Sequence, residues 1–262
     1  MNSVLRYIVL VLAALSLFAC SPARTGVVDG ALTTNLTPGM SVRANAPLAM
    51  ADNGRIWISQ KNPDDFMNEA LVAFDYAVYT EPGISPADRF AYAAIIHLED
   101  PKSWTFVPQG AALPGSFGGI QPFGPASYGG TMHTLCVAGT GDWASDLLAA
   151  NGANPPEFWL AKRWVFNLNN EGRVLAEYRE PWPSILEKPG KEVPLWQEKS
   201  IAYLRDFEQR ATGAFSISAA QGAFSEKPLS GRWQKAQVRP DVVRLVGDIH
   251  RQYNDGGEDN WD

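Results

Sequence analysis

FWLAKRWVFNLNNEGRVLAEYRE, residues 158–180, decides the fold. Trp164, Phe166 and Leu168 alternate with Val165 and Asn167. The run NNEG then supplies a turn, with Gly172 available for positive φ, and Val174, Ala176 and Tyr178 alternate on the return. Successive side chains of a strand point to opposite faces, so a period of two on both sides of a turn marks an antiparallel hairpin with one face on a core.

Working toward the N-terminus, RIWISQ (residues 55–60) also alternates, with Ile56 and Ile58 on one side and Arg55, Trp57 and Ser59 on the other, as in a half-buried strand. The runs ALVAFDYAVYT (70–80) and DRFAYAAIIHL (88–98) admit two readings. As helices they have Asn62 and Ser85 as N-caps and Pro63 and Pro86 at the first helical position; as strands they are buried on both faces. Their aromatic and β-branched content favours strands.

Toward the C-terminus the period changes. In WQEKSIAYLRDFEQRA (196–211), Trp196, Tyr203, Leu204, Phe207 and Ala211 fall at helical spacing, with Gly213 beyond as a stop. In RPDVVRLVGDIHRQY (239–253), Val242, Val246, Ile249 and Tyr253 form one stripe; Pro240 and Asp241 suit the first turn, and His250 and Arg251 the negative end. The expected fold class is α+β: mainly antiparallel β-sheet packed against C-terminal α-helices.

Composition bounds the function. Lys plus Arg number 22 against 28 Asp plus Glu, a formal net charge of −6, and the longest basic cluster is Lys162–Arg163. Nucleic-acid binding leaves a basic patch, so that class is set aside. With 45% hydrophobic and 11% aromatic residues the chain can bury a sizeable core.

The N-terminus carries an address. One arginine, Arg6, precedes the uncharged run YIVLVLAALSLF (7–18), too short to span a bilayer and of the length of a signal-peptide core. Its end, Leu17, Phe18, Ala19 and Cys20, resembles the lipobox of bacterial lipoprotein precursors. The resemblance covers about twenty residues and concerns location. It implies cleavage before Cys20, a thioether-linked diacylglycerol on its sulfur and an acylated α-amino group. Each buried methylene contributes ~0.8 kcal/mol, so several acyl chains hold stably where one does not. Ser21, where an aspartate would resemble an inner-membrane retention signal, implies the outer membrane. Residues 1–19 are therefore read as a lipoprotein signal peptide, 20–47 as the acylated cysteine and a flexible Gly/Pro/Thr-rich tether, and 48–262 as a single globular α+β domain.

Complete catalytic constellations are missing from the pattern. Gly139, Gly141 and Ala144 in TLCVAGTGDWASDLLAA (134–150) have the spacing of a dinucleotide fingerprint, but Asp142 and Trp143 would repel and crowd a pyrophosphate, and a strand-to-helix turn capped by Asp142 fits better. Cys136 and His133 are three apart, on opposite faces of a strand; His97 could approach Cys136 only from a neighbouring strand. The histidines and cysteines make no metal-ligand spacing, the acidic tail NDGGEDNWD (254–262) lacks the calcium-loop pattern, and no cofactor motif is present. The Gly/Pro-rich stretch 108–130 reads as a long loop, without the Gly-Lys-Ser/Thr of a phosphate loop.

The expectation is a membrane-anchored bacterial envelope lipoprotein, binding or structural rather than enzymatic, without cofactor or metal, whose lipid anchor is Cys20 and whose partner is an envelope protein or a glycan. The candidate binding aromatics are Phe117, Phe123 and Tyr128 of the 108–130 loop and Trp182, between Pro181 and Pro183. The alternative is an envelope hydrolase acting on glycan or peptidoglycan, because carboxylate-based sites leave almost no sequence signature.

Overall fold

A computed structural model of the chain describes residues 25–37, 39–62, 65–101, 104–106, 117–121, 131–139, 142–169, 171–186, 200–220, 229 and 249–251. In chain order its elements are β1 (Thr25–Val28), β2 (Ala31–Thr34), β3 (Met40–Ala44), β4 (Ala49–Asn62), β5 (Asp65–Thr80), β6 (Phe90–Leu98), β7 (Trp104–Phe106), β8 (Phe117–Gln121), β9 (Thr131–Gly139), α1 (Trp143–Ala150), β10 (Phe158–Asn169), β11 (Gly172–Pro181), α2 (Ile201–Gly213), β12 (Phe215–Ala219) and β13 (Ile249–Arg251).

The hairpin at 158–180 is β10 and β11, paired from Trp159 opposite Pro181 to Asn169 opposite Gly172. It lies in a seven-stranded antiparallel sheet of order β4-β5-β6-β11-β10-β9-β8. A four-stranded sheet, β1-β2-β3-β12, covers one face, and the pair β13-β7 forms a third sheet. Both faces of the large sheet are buried at its central strands β6 and β11. On one, Trp164, Phe166, Leu168, Val174, Ala176 and Tyr178 pack with Leu32, Met40 and Val42 of the small sheet and with Leu204, Phe207 and Ala211 of α2. On the other, Ile56, Ile58, Phe74, Phe90, Tyr92 and Ile96 pack with Trp143, Ala144 and Leu148 of α1 and with Trp104 and Phe106 of β7.

This double burial explains the ambiguous runs. Residues 70–80 and 88–98 are strands, and every residue of β6 is buried, so no polar face marks a period of two. RIWISQ has the expected sidedness, with Ile56 and Ile58 buried. α2 presents Leu204, Phe207 and Ala211 to the core, the stripe read from sequence, and runs to Gly213.

Four expectations are corrected. The stretch 20–47 is not a tether throughout, because residues 25–44 hold β1, β2 and β3, whose Leu32, Met40 and Val42 are fully buried. The folded domain therefore includes residues from Thr25 onward rather than from residue 48. The stretch 108–130 is not all loop: Phe117–Gln121 is β8, paired to β9. Residues 249–251, read as a helix end, form β13 opposite β7, where backbone pairing outweighs the helical stripe; residues 230–248 lie outside the described residues. Gly172 is not at positive φ. It opens β11, and a Cβ there would lie 2.9 Å from Leu36 Cδ1, so glycine serves close approach between the sheets.

Candidate functional site

Charged residues inside the large sheet form the most unusual chemistry of the fold. On the face toward α1, register sets a row across three strands: Tyr92 on β6 stands opposite Glu177 on β11, and Glu177 opposite Arg163 on β10. The next row on that face runs from Phe90 through Arg179 to Ala161. Glu177 is fully buried; its Oε2 accepts from Arg163 Nε, and its Oε1 accepts from Arg179 Nε at 2.5 Å. Arg179, also buried, lies over the rings of Phe90 and Tyr92, with Cζ 5.4 and 5.6 Å from their centroids. Its Nη2 is 2.6 Å from Oδ2 of Asp142. Arg179 Nη1 and Tyr92 Oη are buried without a hydrogen-bond partner among the described residues.

Asp142 belongs to the fingerprint-like run at 139–144, and its role is the structural one. It is the N-cap of α1, accepting from the Ser145 backbone N–H at 2.9 Å. The helix it starts drives Trp143 edge-on against Phe74, Tyr76 and Tyr92, at centroid distances of 5.2, 5.1 and 5.3 Å. Ser145 Oγ accepts from Trp159 Nε1 at 3.0 Å, tying α1 to β10.

Electrostatics follow from the pairing. Burial opposes ionisation of Glu177, but the charges of Arg163 and Arg179 outweigh it and hold the carboxyl below its ordinary value. Burial likewise opposes ionisation of Asp142, and Arg179 with the Ser145 N–H overcomes it. Burial, reinforced by the Glu177 charge, pushes the Tyr92 hydroxyl above its ordinary range, so it stays protonated.

A second cluster sits on the opposite face. Asp75, fully buried on β5, accepts from Arg55 Nε at 2.5 Å and Nη2 at 2.8 Å, and lies 3.3 Å from His97 Nε2. His97 Nδ1 is 3.7 Å from Glu99 Oε1. Burial works against the Asp75 charge, yet hydrogen bonds from Arg55 and His97 bring its pKa below the ordinary aspartate value. A third lies where α2 meets β11: Glu180 accepts two bonds of 2.8 Å from Arg210 and one of 2.5 Å from Tyr178 Oη, and its pKa too is lowered against the effect of burial.

These carboxylates were not candidates from sequence, yet they left a signal. Asp75 interrupts ALVAFDYAVYT, and Arg173, Glu177, Arg179 and Glu180 stand among the apolar residues of the buried strand β11. A charge within a doubly buried strand needs a partner. The partner's identity is set by register, which one strand does not show.

The sequence-derived site residues are distributed as follows. Cys20, Phe123 and Tyr128 lie outside the described residues. Phe117 opens β8 opposite Leu135 at the outer edge of the large sheet, and Trp182, just past β11, is half-buried against the core with its N–H bonded to Phe158 O at 2.9 Å. The Cys136–His97 pairing is excluded by topology. β11 and β10 separate β6 from β9, a gap of about 14 Å at ~4.8 Å per strand, and Cys136 pairs with Ala161, far along β10 from the level of His97 opposite Gly172. Among the described residues no group of three or more His, Cys, Asp or Glu could hold a metal ion.

No protein-family model, curated protein or solved structure matches the chain.

Proposed function

We propose that the chain is a membrane-anchored bacterial envelope lipoprotein, held by an acylated Cys20, whose folded part is a non-enzymatic binding or structural domain without a cofactor. The observation that carries the non-enzymatic reading is that each of Asp75, Asp142, Glu177 and Glu180 is bonded to an arginine and has its pKa lowered. Such a carboxylate is ionised at neutral pH with its lone pairs engaged. It has no proton to donate and little freedom to accept one. A glycan hydrolase needs one carboxyl kept protonated by its surroundings, and these surroundings do the reverse.

The lipobox-like Leu17–Cys20 supports the address, and Ser21 its outer-membrane form. The partner is an envelope protein or a glycan, and its candidate contact residues are Phe117 at the start of the edge strand β8, Phe123 and Tyr128 in the connection that follows β8, and Trp182 just past the central strand β11. Incubation with purified peptidoglycan tests the non-enzymatic reading. Retention of the protein on the insoluble polymer or its absence, without release of soluble fragments, is the expected result. Fragment release that follows the protein through successive purification steps would overturn it.

A further inference from the structure

The lipid-anchor reading acquires geometry from where the fold begins. Thr25 is the first residue of β1, so only Ser21 to Arg24 separate it from Cys20. At most ~3.6 Å per residue, five Cα steps span about 18 Å. An acylated Cys20 would hold Thr25 within that distance of the lipid headgroups.

The end of the molecule that carries Thr25 is fixed by pairing. Thr25 stands opposite Thr34, and just past Thr34 the carbonyl of Thr37 accepts from Asn169 Nδ2 at 3.0 Å. Asn169 belongs to the β10–β11 turn, and the Leu98 N–H bonds to Glu171 O of that turn at 3.0 Å. Thr25, the 169–172 turn and the end of β6 therefore share one end of the sandwich. At that end β4 and β5 do not stop. Pairing of β5 with β6 terminates at Val72 opposite Leu98, whereas pairing of β4 with β5 continues to Asn62 opposite Asp65. Four residues of β4, 59–62, overhang with β5 as a two-stranded ribbon, about 14 Å at ~3.4 Å per residue, paired to Leu71, Ala70 and Glu69 and, after a register shift, to Asp65. The spacer's reach of about 18 Å exceeds this overhang, so the ribbon tip and Cys20 can meet the same headgroup layer.

We propose that this β4–β5 ribbon, residues 59–62 and 65–71, is a foot resting in the headgroup layer of the bilayer that holds Cys20. The inference rests on the lipid-anchor reading. Two further features fit this occupant. Leu71, at the root of the ribbon, is a large apolar side chain left 38% exposed. The ribbon sequence carries Lys61, Asp65 and Glu69 together with Phe66 and Met67, both signs of charge beside apolar residues, which suits a layer of zwitterionic ammonium and phosphate groups over acyl chains.

The test uses the full acylated chain with Cys136→Ala, so that one engineered thiol takes a small fluorophore. Labels are placed at Met67→Cys and Asn68→Cys on the ribbon and at Asn154→Cys, an exposed position preceding β10 at the opposite end. The protein is reconstituted into phosphatidylethanolamine/phosphatidylglycerol vesicles bearing a headgroup nitroxide. Quenching severalfold stronger at 67 and 68 than at 154 is expected. Equal quenching at all three, or stronger quenching at 154, overturns the foot. Palmitate incorporation into the same preparation separates the failures: acylated protein with equal quenching loses the foot and keeps the anchor, and unacylated protein loses both.

Discussion

Arg179 Nη2 lies 2.6 Å from Asp142 Oδ2, and the same carboxylate caps α1 by accepting from the Ser145 N–H at 2.9 Å. One side chain thus starts the helix and neutralises a guanidinium buried in the sheet. Through Arg179 and Glu177 the helix start is connected to Arg163 two strands from β6, so packing of α1 and integrity of the sheet depend on one chain of charges.

Glu177→Gln keeps the volume of the side chain and removes the buried negative charge that bridges Arg163 and Arg179. Breaking a buried pair by neutralising one partner costs about 3–5 kcal/mol, and that loss is expected in denaturant unfolding with an unchanged m-value. The triple replacement of Arg163, Glu177 and Arg179 by Met should lose far less, because no unpaired charge remains buried. A loss below about 1 kcal/mol for Glu177→Gln would show that the network does not hold the sheet.

Acid should unfold the protein through the same groups. Asp75 and Asp142 sit below the ordinary 3.8, and Glu177 and Glu180 below the ordinary 4.5. The unfolded chain therefore binds more protons than the folded one in this range. These groups contribute their stability in full above the unfolded values and lose it as pH falls through the lower folded values. The urea midpoint is expected to drop steadily below about pH 4.5, and the drop should be shallower in Glu177→Gln. A midpoint that holds or rises on acidification would contradict the pairing.

The β1–β2 turn makes a conformational prediction. Asp29 has φ 48° and Gly30 φ 77°, the left-handed pair of a two-residue hairpin turn. No atom lies within 4 Å of a Cβ added at Gly30, so Gly30→Ala costs only backbone strain, about 1–2 kcal/mol. Gly30→Asn, which tolerates this region, should cost less. Equal unfolding midpoints for wild type and Gly30→Ala would show that the turn does not fix β1.

That turn also shows what could be read in advance. Asp-Gly between VV and ALTT is a strong hairpin signal, but it stands within a stretch whose Gly, Pro and Thr content resembles a linker, and strands of four residues show little periodicity. The β10–β11 hairpin was legible because one face carries Trp164, Phe166 and Leu168 against a less apolar alternate set. β6 was ambiguous because both its faces are apolar. The ion networks were beyond reach for a different reason: Asp75 finds Arg55, and Glu177 finds Arg163, only across strands paired by register. The fate of residues 249–251 turned on β7, a three-residue strand about 145 positions away whose pairing no local pattern announces.

The central claim is that Cys20 ties this sandwich to a membrane. Radiolabelled palmitate supplied to bacteria expressing the full chain tests it most directly. The account predicts label in the wild-type protein, recovered in the membrane fraction, and none in Cys20→Ala, which should fold with the same unfolding midpoint. Label in both proteins, or in neither, would contradict it.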